Sequence, residues 1–220
     1  MALGAAGLSL LVNRFKNSKF QIQDSSMPIE VEKKYRLNRK QLLMINRRLR
    51  EVGAVKHELE LEENTIYRGG RLDLGGCALR VRRVGKRAIL TFKQRLPTAS
   101  TIKHQREEET EVAKPDVLNS ILEALGYQAA LVYEKRRRRW DLGHAEIAVD
   151  ELPFGLFMEI EAPEKEIIRV EKLVGAEKLP AVIETYPTLT ARFGREHNGV
   201  IASRFAKSTR KRSGRKAKKT

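Results

Sequence analysis

The chain contains very little cysteine and no long hydrophobic run. Its single cysteine, Cys77, among 220 residues excludes a framework of disulfides and is typical of a protein in a reducing cytoplasm. The apolar stretch at residues 2–12 is too short to span a bilayer. No basic segment precedes it and no clear cleavage site follows it, so it does not resemble a signal peptide. We therefore predict a cytoplasmic protein without a membrane span.

Two familiar kinds of catalytic site are also missing from the pattern. No serine or cysteine has a paired base at a suitable place in the sequence, which argues against a covalent nucleophile. No two histidines share one predicted element at the spacing of metal ligands. We therefore do not expect metal ligation by His57, His104, His144 or His197.

Basic charge is abundant but unevenly placed. The formal net charge is +16, and residues 204–220 hold nine Lys and Arg side chains with no acid. We predict that this polybasic tail is disordered and binds anions non-specifically, or serves only to keep the chain soluble. The rest of the chain is only mildly basic, so we expect no specific nucleic-acid partner.

The folded domain is predicted at residues 27–203. A hydrophobic content of 41% is enough to form a core. Met27 immediately precedes the first segment with a strand pattern. Residues 1–26 are therefore interpreted as a disordered N-terminal extension, or as sequence upstream of the natural start.

Alternating charge begins at residues 30–35. Successive side chains of a strand point to opposite faces, so Glu30, Glu32 and Lys34 share one face, while Val31 and Tyr35 share the other. One such strand could be a solvated edge. Four further stretches also place charges on one face and apolar groups on the opposite face. This repetition indicates that the strands share one arrangement of their faces in the fold.

Eight strands are predicted, at residues 30–35, 59–68, 77–83, 87–95, 104–112, 131–141, 145–152 and 156–162. One helix begins after Asn38 and a second begins at Pro115. One or two more follow, at residues 165–173 and from about residue 178 to residue 193. Short turns join most strands, so the pairing should be antiparallel, and eight such strands commonly close into a barrel. We predict an α+β fold, an eight-stranded antiparallel closed β-barrel (a tunnel) with helices packed outside.

The charged faces of the strands must then point into the barrel, because their apolar faces pack on the helices. Buried charge has to be paired or metal-bound. Acids are expected on the first, fifth, seventh and eighth strands, and bases on the third, fourth and sixth. Such a lumen suits a polyanion that carries a divalent metal, because Arg and Lys neutralise phosphate oxygens and carboxylates bind Mg²⁺ or Mn²⁺.

Six sequence elements, taken in order, resemble the signature of the CYTH superfamily, the triphosphate tunnel metalloenzymes. They are Glu30-x-Glu32-x-Lys34, Leu79-Arg80-Val81-Arg82, Leu90-Thr91-Phe92-Lys93, an acidic strand with Glu107 and Glu109, Lys135-Arg136-Arg137, and Asp150 followed by Glu159-Ile160-Glu161. The resemblance covers residues 28 to about 190. It departs at Arg68, where the family often carries an acid, and at Thr185-Tyr186, where the family has Ser-Tyr. It implies an eight-stranded tunnel that holds a triphosphate.

The resemblance also implies roles for the charged residues. The metal-ligand pool, for Mg²⁺ or Mn²⁺, is Glu30, Glu32, Asp150, Glu159 and Glu161. The substrate-binding set is Lys34, Arg80, Arg82, Lys93, Lys135, Arg137, Glu107 and Glu109. Within that set, we expect catalytic roles for Lys34, Lys93 and Arg137. The alternation places Arg83 and Arg136 outside the lumen.

The sequence leaves open which phosphorus atom of the triphosphate is attacked, and therefore which reaction takes place. Residues 133–137 and 150–161 most resemble bacterial members assigned as class IV adenylyl cyclases, in which the ribose 3′-hydroxyl attacks the α-phosphorus of ATP and yields cyclic AMP and pyrophosphate. The alternative is a triphosphatase acting on inorganic triphosphate, thiamine triphosphate or a nucleoside triphosphate. A non-catalytic module for polyphosphate or RNA is disfavoured, because an anion binder gains nothing from five acids in its lumen.

The expected partner is thus a small-molecule triphosphate, and a homodimer is compatible with the sequence.

Overall fold

Strands are the main element of the computed structural model, which describes residues 29–206. The predicted extension at residues 1–26 and residues 207–220 of the predicted tail lie outside the described part. The barrel strands are β1 (Ile29–Leu37), β2 (Val55–Arg68), β3 (Cys77–Val84), β4 (Arg87–Arg95), β5 (Lys103–Glu111), β6 (Gln128–Leu142), β7 (Ala145–Leu152) and β8 (Gly155–Glu161).

These eight strands close on themselves. Their order around the ring is β2-β3-β4-β5-β1-β8-β7-β6, and the pairing of β6 with β2 completes it. Every neighbouring pair in the ring is antiparallel. The predicted α+β fold, with an eight-stranded antiparallel closed β-barrel, is confirmed.

The longest pair of strands is where the predicted bounds were least accurate. β2 begins at Val55 rather than at residue 59, and β6 begins at Gln128 rather than at residue 131. The register of this pair shifts between Lys56 and Leu59, and again between Ile66 and Tyr67. Such irregularities interrupt the alternation of side chains, so a strict period of two underestimates the strand length.

Helices cover the outside of the barrel, at α1 (Arg39–Glu51), α2 (Pro115–Ala124), α3 (Glu164–Val174) and α4 (Tyr186–Phe193). Asn38 caps α1 through reciprocal hydrogen bonds with Gln41. The core between the barrel and the helices α1 and α3 is mainly apolar, and its buried polar member Glu171 accepts a hydrogen bond from the Tyr35 hydroxyl. Its buried members include Tyr35, Ile45, Leu49, Ile147, Met158, Ile160, Ile167 and Val170. Among residues 29–206, no helix has both the length and the apolar character needed to cross a membrane.

The end of the described chain differs from the prediction. The segment before α4 is not helical, since α4 begins only at Tyr186, where the Thr185 side chain accepts a hydrogen bond from the Thr188 amide. A short hairpin that was not predicted follows, at β9 (Arg195–His197) and β10 (Val200–Ser203), and β10 pairs in parallel with β6. The sequence pattern of this hairpin is weak because its strands have only three and four residues, too few for alternation to be recognised.

Candidate active site

The interior of the barrel holds a cavity of about 830 Å³. Every strand of the barrel contributes at least one side chain to its wall, and residues 185–188 also line it. Of the predicted metal-binding and substrate-binding residues, all line this cavity except Asp150, which is completely buried directly beneath it. The strand alternation thus places the charged faces inward, as the sequence predicted.

One wall of the cavity carries cations that are already paired. The Arg137 guanidinium donates two hydrogen bonds to Asp150, at 2.8 and 2.6 Å, and a third to Glu159 at 2.5 Å. Lys135 Nζ lies 3.3 Å from a Glu62 oxygen and 3.5 Å from an Asp150 oxygen. Because bidentate pairs fix the guanidinium plane, Arg137 is held in one orientation before any ligand arrives.

The charges on this wall are strongly stabilised. Burial would raise the pKa of the Glu62 carboxyl, but Lys135 and Arg137 lower it to about 2. Burial opposes the charged form of Glu159 as well, and Lys34 and Arg137 hold its pKa well below the usual range. We refer to Glu62, Lys135, Arg137, Asp150 and Glu159 as the balanced wall.

Tyr186 joins the balanced wall to α4. Its hydroxyl donates to Asp150 Oδ2 at 2.8 Å, and the Lys34 ammonium lies 3.9 Å from the centre of its ring. Lys34 is itself buried, 3.2 Å from Glu159, and burial lowers its pKa. The start of α4 therefore helps to position both Asp150 and Lys34.

A second wall presents arginines with unused donors. Arg80 and Arg82 both contact the Glu109 carboxylate, at 3.3 and 3.1 Å. The Nε atoms of both guanidinium groups are buried and have no hydrogen-bond partner among the described residues. A buried donor without an acceptor costs about 1–3 kcal/mol, so these two atoms indicate a place for an anionic ligand.

Arg80 and Arg82 form what we call the arginine wall, and Lys93 lies between them and the carboxylates of Glu30 and Glu107. Its ammonium lies 2.6 Å from a Glu30 oxygen and 3.1 Å from a Glu107 oxygen. Burial would lower the pKa of Lys93, but Glu30 and Glu107 raise it, so the side chain stays charged. Lys93 is thus a cation placed between the acids and the two arginines.

The third wall carries more acid than base. Glu32 and Glu146 both stand opposite Glu161 in the strand register, so four inward carboxylates, Glu30, Glu32, Glu146 and Glu161, lie on three neighbouring strands. Lys93 contacts Glu30, and the buried Lys103 contacts Glu32 at 2.9 Å. We refer to these four carboxylates as the acid wall.

The protonation of the acid wall reflects this excess. Burial and the nearby Glu107 and Glu32, opposed by Lys93, raise the pKa of Glu30 to about 8. Glu161 is more accessible to solvent, yet its partial burial and the neighbouring charges of Glu30 and Glu146 raise its pKa to about 7. Both carboxyls therefore favour an added positive charge, either a proton or a metal ion.

The donor set of the acid wall fits Mg²⁺ or Mn²⁺ by its chemistry. Both ions prefer oxygen ligands and need few protein carboxylates, because they keep several waters. Within residues 29–206, no three His, Cys, Asp or Glu side chains already converge as a metal-binding group. Glu32 is engaged by Lys103 and Glu30 by Lys93, so binding of a metal ion would require these carboxylates to exchange lysine for the ion.

Several lining residues were missed by the sequence analysis. Glu62 was missed because no inward acids were assigned to the second strand, although its alternation with Asn64 was readable. Lys103 was missed because the fifth strand was predicted to begin one residue later. Glu146 shares the face of Ala148 and Asp150 and could have been found by extending that alternation.

The residues predicted to point outward do so. Arg83 contacts Asp116 of α2 at 2.6 Å, and Arg136 contacts Glu151 at 3.3 Å on the outer surface. Two of the histidines lie on carboxylates outside the cavity, with His57 at 2.6 Å from Asp141 and His104 at 2.8 Å from Glu164. The strand register behind the inward assignments is therefore the predicted one.

The family model for the CYTH domain matches residues 28–184. Several solved structures share the fold at low sequence identity. The PH1012 protein of Pyrococcus horikoshii OT3 superposes with a TM-score of 0.63 at 23% identity, covering 71% of this chain and 96% of that chain. A Vibrio parahaemolyticus protein, provisionally assigned as an adenylate cyclase, gives a TM-score of 0.61 at 23% identity, covering 76% and 99%.

A plant protein has the same fold. HpAC1 from Hippeastrum, for which a dominant triphosphatase activity is described, gives a TM-score of 0.56 at 18% identity, covering 78% of this chain and 99% of that chain. No curated protein sequence matches this chain. At these identities the structures support the fold, and the family match rests on residues 28–184.

Proposed function

Since the chain belongs to the CYTH family, we propose that it is a metal-dependent enzyme that cleaves a triphosphate inside its tunnel. This proposal rests on one observation: the same cavity holds hydrogen-bond donors without acceptors on one wall and an excess of carboxylates over cations on another. Arg80 and Arg82 have buried donors without acceptors, and the acid wall has carboxylates in excess of cations. A triphosphate with a divalent metal supplies the acceptors to the first and the positive charge to the second.

The phosphate chain is proposed to lie between the arginine wall and the balanced wall. Arg80, Arg82 and Lys93 face it from one side, and Lys135 and Arg137 from the other. Arg137 is held by Asp150 and Glu159, so it needs no reorganisation to stabilise the charge that develops on the phosphate oxygens. The balanced wall thus supplies preorganised cations, and Asp150 and Glu159 act chiefly by positioning Arg137.

The metal ion is proposed to be held by Glu30, Glu32 and Glu161. When bound, it would neutralise phosphate oxygens and help orient the triphosphate. Lys93 and Lys103, which contact these carboxylates in the described structure, would then be free to contact phosphate oxygens instead. Lys34, Lys93 and Arg137 are the side chains we propose to act on the reacting phosphoryl group.

The reaction we favour is cyclisation of ATP to cyclic AMP and pyrophosphate. The observation behind it is the resemblance of residues 133–137 and 150–161 to class IV adenylyl cyclases, and one solved relative of the same fold carries a provisional adenylate cyclase assignment. Triphosphatase activity is the second candidate. It is favoured by the solvent access of Glu161, which lets water reach the acid wall, and by the activity described for HpAC1.

The test is incubation of the protein with Mg²⁺ or Mn²⁺ and, separately, ATP, inorganic triphosphate and thiamine triphosphate. Cyclic AMP, pyrophosphate and phosphate are measured individually. Cyclic AMP with equimolar pyrophosphate supports the cyclase, and phosphate without cyclic AMP supports the triphosphatase. The Glu32→Gln variant is the control for contaminating activity, and metal-dependent product formation at the same rate by that variant would contradict the proposal.

A further inference from the structure

We infer that Lys103 couples the binding of the metal ion to the binding of the triphosphate. Its ammonium holds the Glu32 carboxylate until a metal ion takes its place there, and it then contacts the phosphate chain. The inference rests on the proposed function and deepens it, because Lys103 lies outside the six sequence elements that resemble the family signature. It predicts that the metal ion binds weakly alone and more tightly together with a triphosphate.

Lys103 is the first residue of β5, and its side chain lines the cavity. It stands directly opposite Glu32 in the register of β1 and β5, and its Nζ atom lies 2.9 Å from Glu32 Oε1. On β8, the residue opposite Glu32 is Glu161. Lys103 is therefore the counter-charge of a carboxylate that we propose to bind the metal ion, and the ammonium and the ion compete for that carboxylate.

The two lysines that contact the acid wall differ in what remains to them after such an exchange. Lys93 contacts Glu107 as well as Glu30, so it keeps one counter-charge if the metal ion binds Glu30. Among residues 29–206, no carboxylate other than that of Glu32 forms an ion pair with Lys103. The side chain of Lys103 is only 4% exposed, against 22% for Lys93, so water does not readily replace the lost partner. A buried ammonium without a counter-charge is costly, and metal binding alone would create one.

Glu159, on the same inward face of β8 as Glu161, is already engaged by other cations. It accepts a hydrogen bond from Arg137 at 2.5 Å and lies 3.2 Å from the ammonium of Lys34. The phosphate chain that we propose to lie in this cavity is therefore the next acceptor for Lys103. Phosphate oxygens accept strong, charge-assisted hydrogen bonds from an ammonium group.

This exchange makes binding of each ligand favour binding of the other. The metal ion alone leaves Lys103 without a partner, and the triphosphate alone leaves Lys103 on Glu32. Only when both are bound does Glu32 contact the metal ion while Lys103 contacts phosphate. Coupling of this kind is reciprocal and commonly changes an affinity by about 5- to 150-fold.

Two lysines of the barrel form a matched pair for the test. Lys103→Met removes the ammonium and keeps most of the apolar length of the side chain. Lys103→Gln is a second variant, which can still donate a hydrogen bond to Glu32. The control is Lys33→Met, because Lys33 contacts Glu171 of α3 at 2.6 Å outside the cavity, from the same strand as Glu32. A melting curve checks the folding of each variant.

Two quantities are measured for each protein. The first is the affinity for Mn²⁺ alone, from the electron paramagnetic resonance signal of the free ion. The second is a coupling factor, the ratio of the dissociation constants of methylene-bridged inorganic triphosphate in chelator and in saturating Mg²⁺, both from calorimetry. Complex formation between Mg²⁺ and the free analogue enters every coupling factor equally, so it cancels when the variants are compared.

We expect both Lys103 variants to bind Mn²⁺ alone about tenfold more tightly than the unaltered protein, because no ammonium has to leave Glu32. Their coupling factor should be about tenfold lower, because no lysine is released to the phosphate chain. Lys33→Met should change neither quantity.

The coupling factor distinguishes this exchange from a simple effect of charge. Loss of any positive charge from the cavity strengthens metal binding through space, but by the same factor with and without the triphosphate. Tighter Mn²⁺ binding with an unchanged coupling factor would therefore overturn the inference and leave the proposed function in place. Equal Mn²⁺ affinity of the unaltered protein and the Lys103 variants would do the same. An unaltered protein that binds neither Mn²⁺ nor the analogue would overturn the proposed function as well.

Discussion

The balanced wall and the acid wall use the same residue type to opposite effect. Glu62 and Glu30 are both buried glutamates that line one cavity, yet the pKa of Glu62 is lowered to about 2 and that of Glu30 is raised to about 8. Burial raises the pKa of both. The difference lies in their neighbours, since four cations face Glu62, whereas Glu30 faces Lys93 together with other carboxylates.

This difference separates a part of the site whose buried charges are balanced from a part that has an excess of negative charge. The balanced wall satisfies its buried charges within the protein, so it is a rigid element that positions Arg137 and Lys135. The acid wall lacks positive charge and is completed by a cation. The predictions below test whether this division into a positioning wall and a metal-binding wall is correct, beginning with the largest expected effect.

The acid wall should control activity. We expect Glu161→Gln to lower the turnover number about a thousandfold, because a lost metal site removes several kcal/mol of charge stabilisation from the transition state. Its thermal stability should be unchanged or higher, since one of several repelling carboxylates is gone. Turnover with the best triphosphate is measured alongside a melting curve, and full activity of the unaltered protein in excess chelator would refute metal dependence.

The balanced wall should instead control stability. Glu62→Gln leaves Lys135 with one fewer counter-charge in a fully buried position, which should cost about 3–5 kcal/mol in free energy of unfolding. Urea denaturation of this variant is compared with that of Glu161→Gln in metal-free buffer. If both variants lose equal stability, the two walls do not differ in the way proposed.

The arginine wall should bind phosphate, while its outer neighbour should not. Arg82→Ala removes a charge-assisted contact in a secluded cavity, and we expect triphosphate binding to weaken by about 2–5 kcal/mol. Arg83 contacts the exposed Asp116 on the surface, so Arg83→Ala should change binding by well under about 1 kcal/mol. Calorimetry with a non-hydrolysable triphosphate compares the two variants, and an equal loss would contradict the assignment of Arg82 to the inside of the barrel and of Arg83 to the outside.

The pH dependence of stability should show the two walls with opposite slopes. Glu30 and Glu161 have folded-state pKa values of about 8 and 7, above their usual value of 4.5. The folded, metal-free protein therefore binds more protons than the unfolded chain from about pH 5 to 8, and stability falls as pH rises through that window. The lowered pKa of Glu62 acts oppositely, because its contribution is present above about pH 4.5 and is lost towards pH 2.

The measurement is urea denaturation from pH 2 to 9, with chelator and with saturating Mg²⁺. We expect a maximum near pH 5 without metal, and a flatter upper limb with Mg²⁺, because the ion replaces the protons on the acid wall. The Glu30→Gln, Glu161→Gln double variant should remove the decline above about pH 5. A decline that survives in that variant would assign it to other groups.

Sequence analysis predicted which side chains face the cavity better than it predicted which of them contact one another. Alternation alone was enough to place Arg80, Arg82 and Arg137 inside and Arg83 outside, because the pleat leaves each strand only two faces. It could not show that Asp150 and Glu159 both contact Arg137, whereas Glu161 faces Glu146. That distinction depends on the register between β6, β7 and β8, which is set by the hairpins and by packing across the barrel.

The elements that sequence analysis missed share a physical cause. β9 and β10 are too short to show a period, and the register shift between Lys56 and Leu59 hid the first residues of β2. Lys103 lies at the first residue of its strand, where a one-residue error in the bound changes the assignment. Predictions from periodicity are therefore reliable in the middle of long strands and weak at their ends.

The smallest effect should come from charge that lies outside the cavity. Arg204 contacts the carboxylates of Glu63 and Glu134 on the outer surface, and the Phe205 amide donates to Glu134 at 2.8 Å. These contacts fasten the chain beside β10, next to the β6 strand that carries Lys135 and Arg137. They touch no residue that lines the cavity, so they should act on stability alone.

We expect a chain of residues 27–206 to keep the full turnover and affinity of the 220-residue protein, because residues 29–206 already contain all eight strands of the closed ring. A chain of residues 27–203 should keep its activity too but lose about 1 kcal/mol of stability, since partly exposed ion pairs and one charge-assisted hydrogen bond are worth about that much. Kinetics and urea denaturation of the two shortened chains give the comparison, with Arg204→Lys in the full chain as the conservative control. A large loss of turnover on removing residues 207–220 would show that the basic tail acts on the substrate, and the division of labour would then extend beyond the two walls.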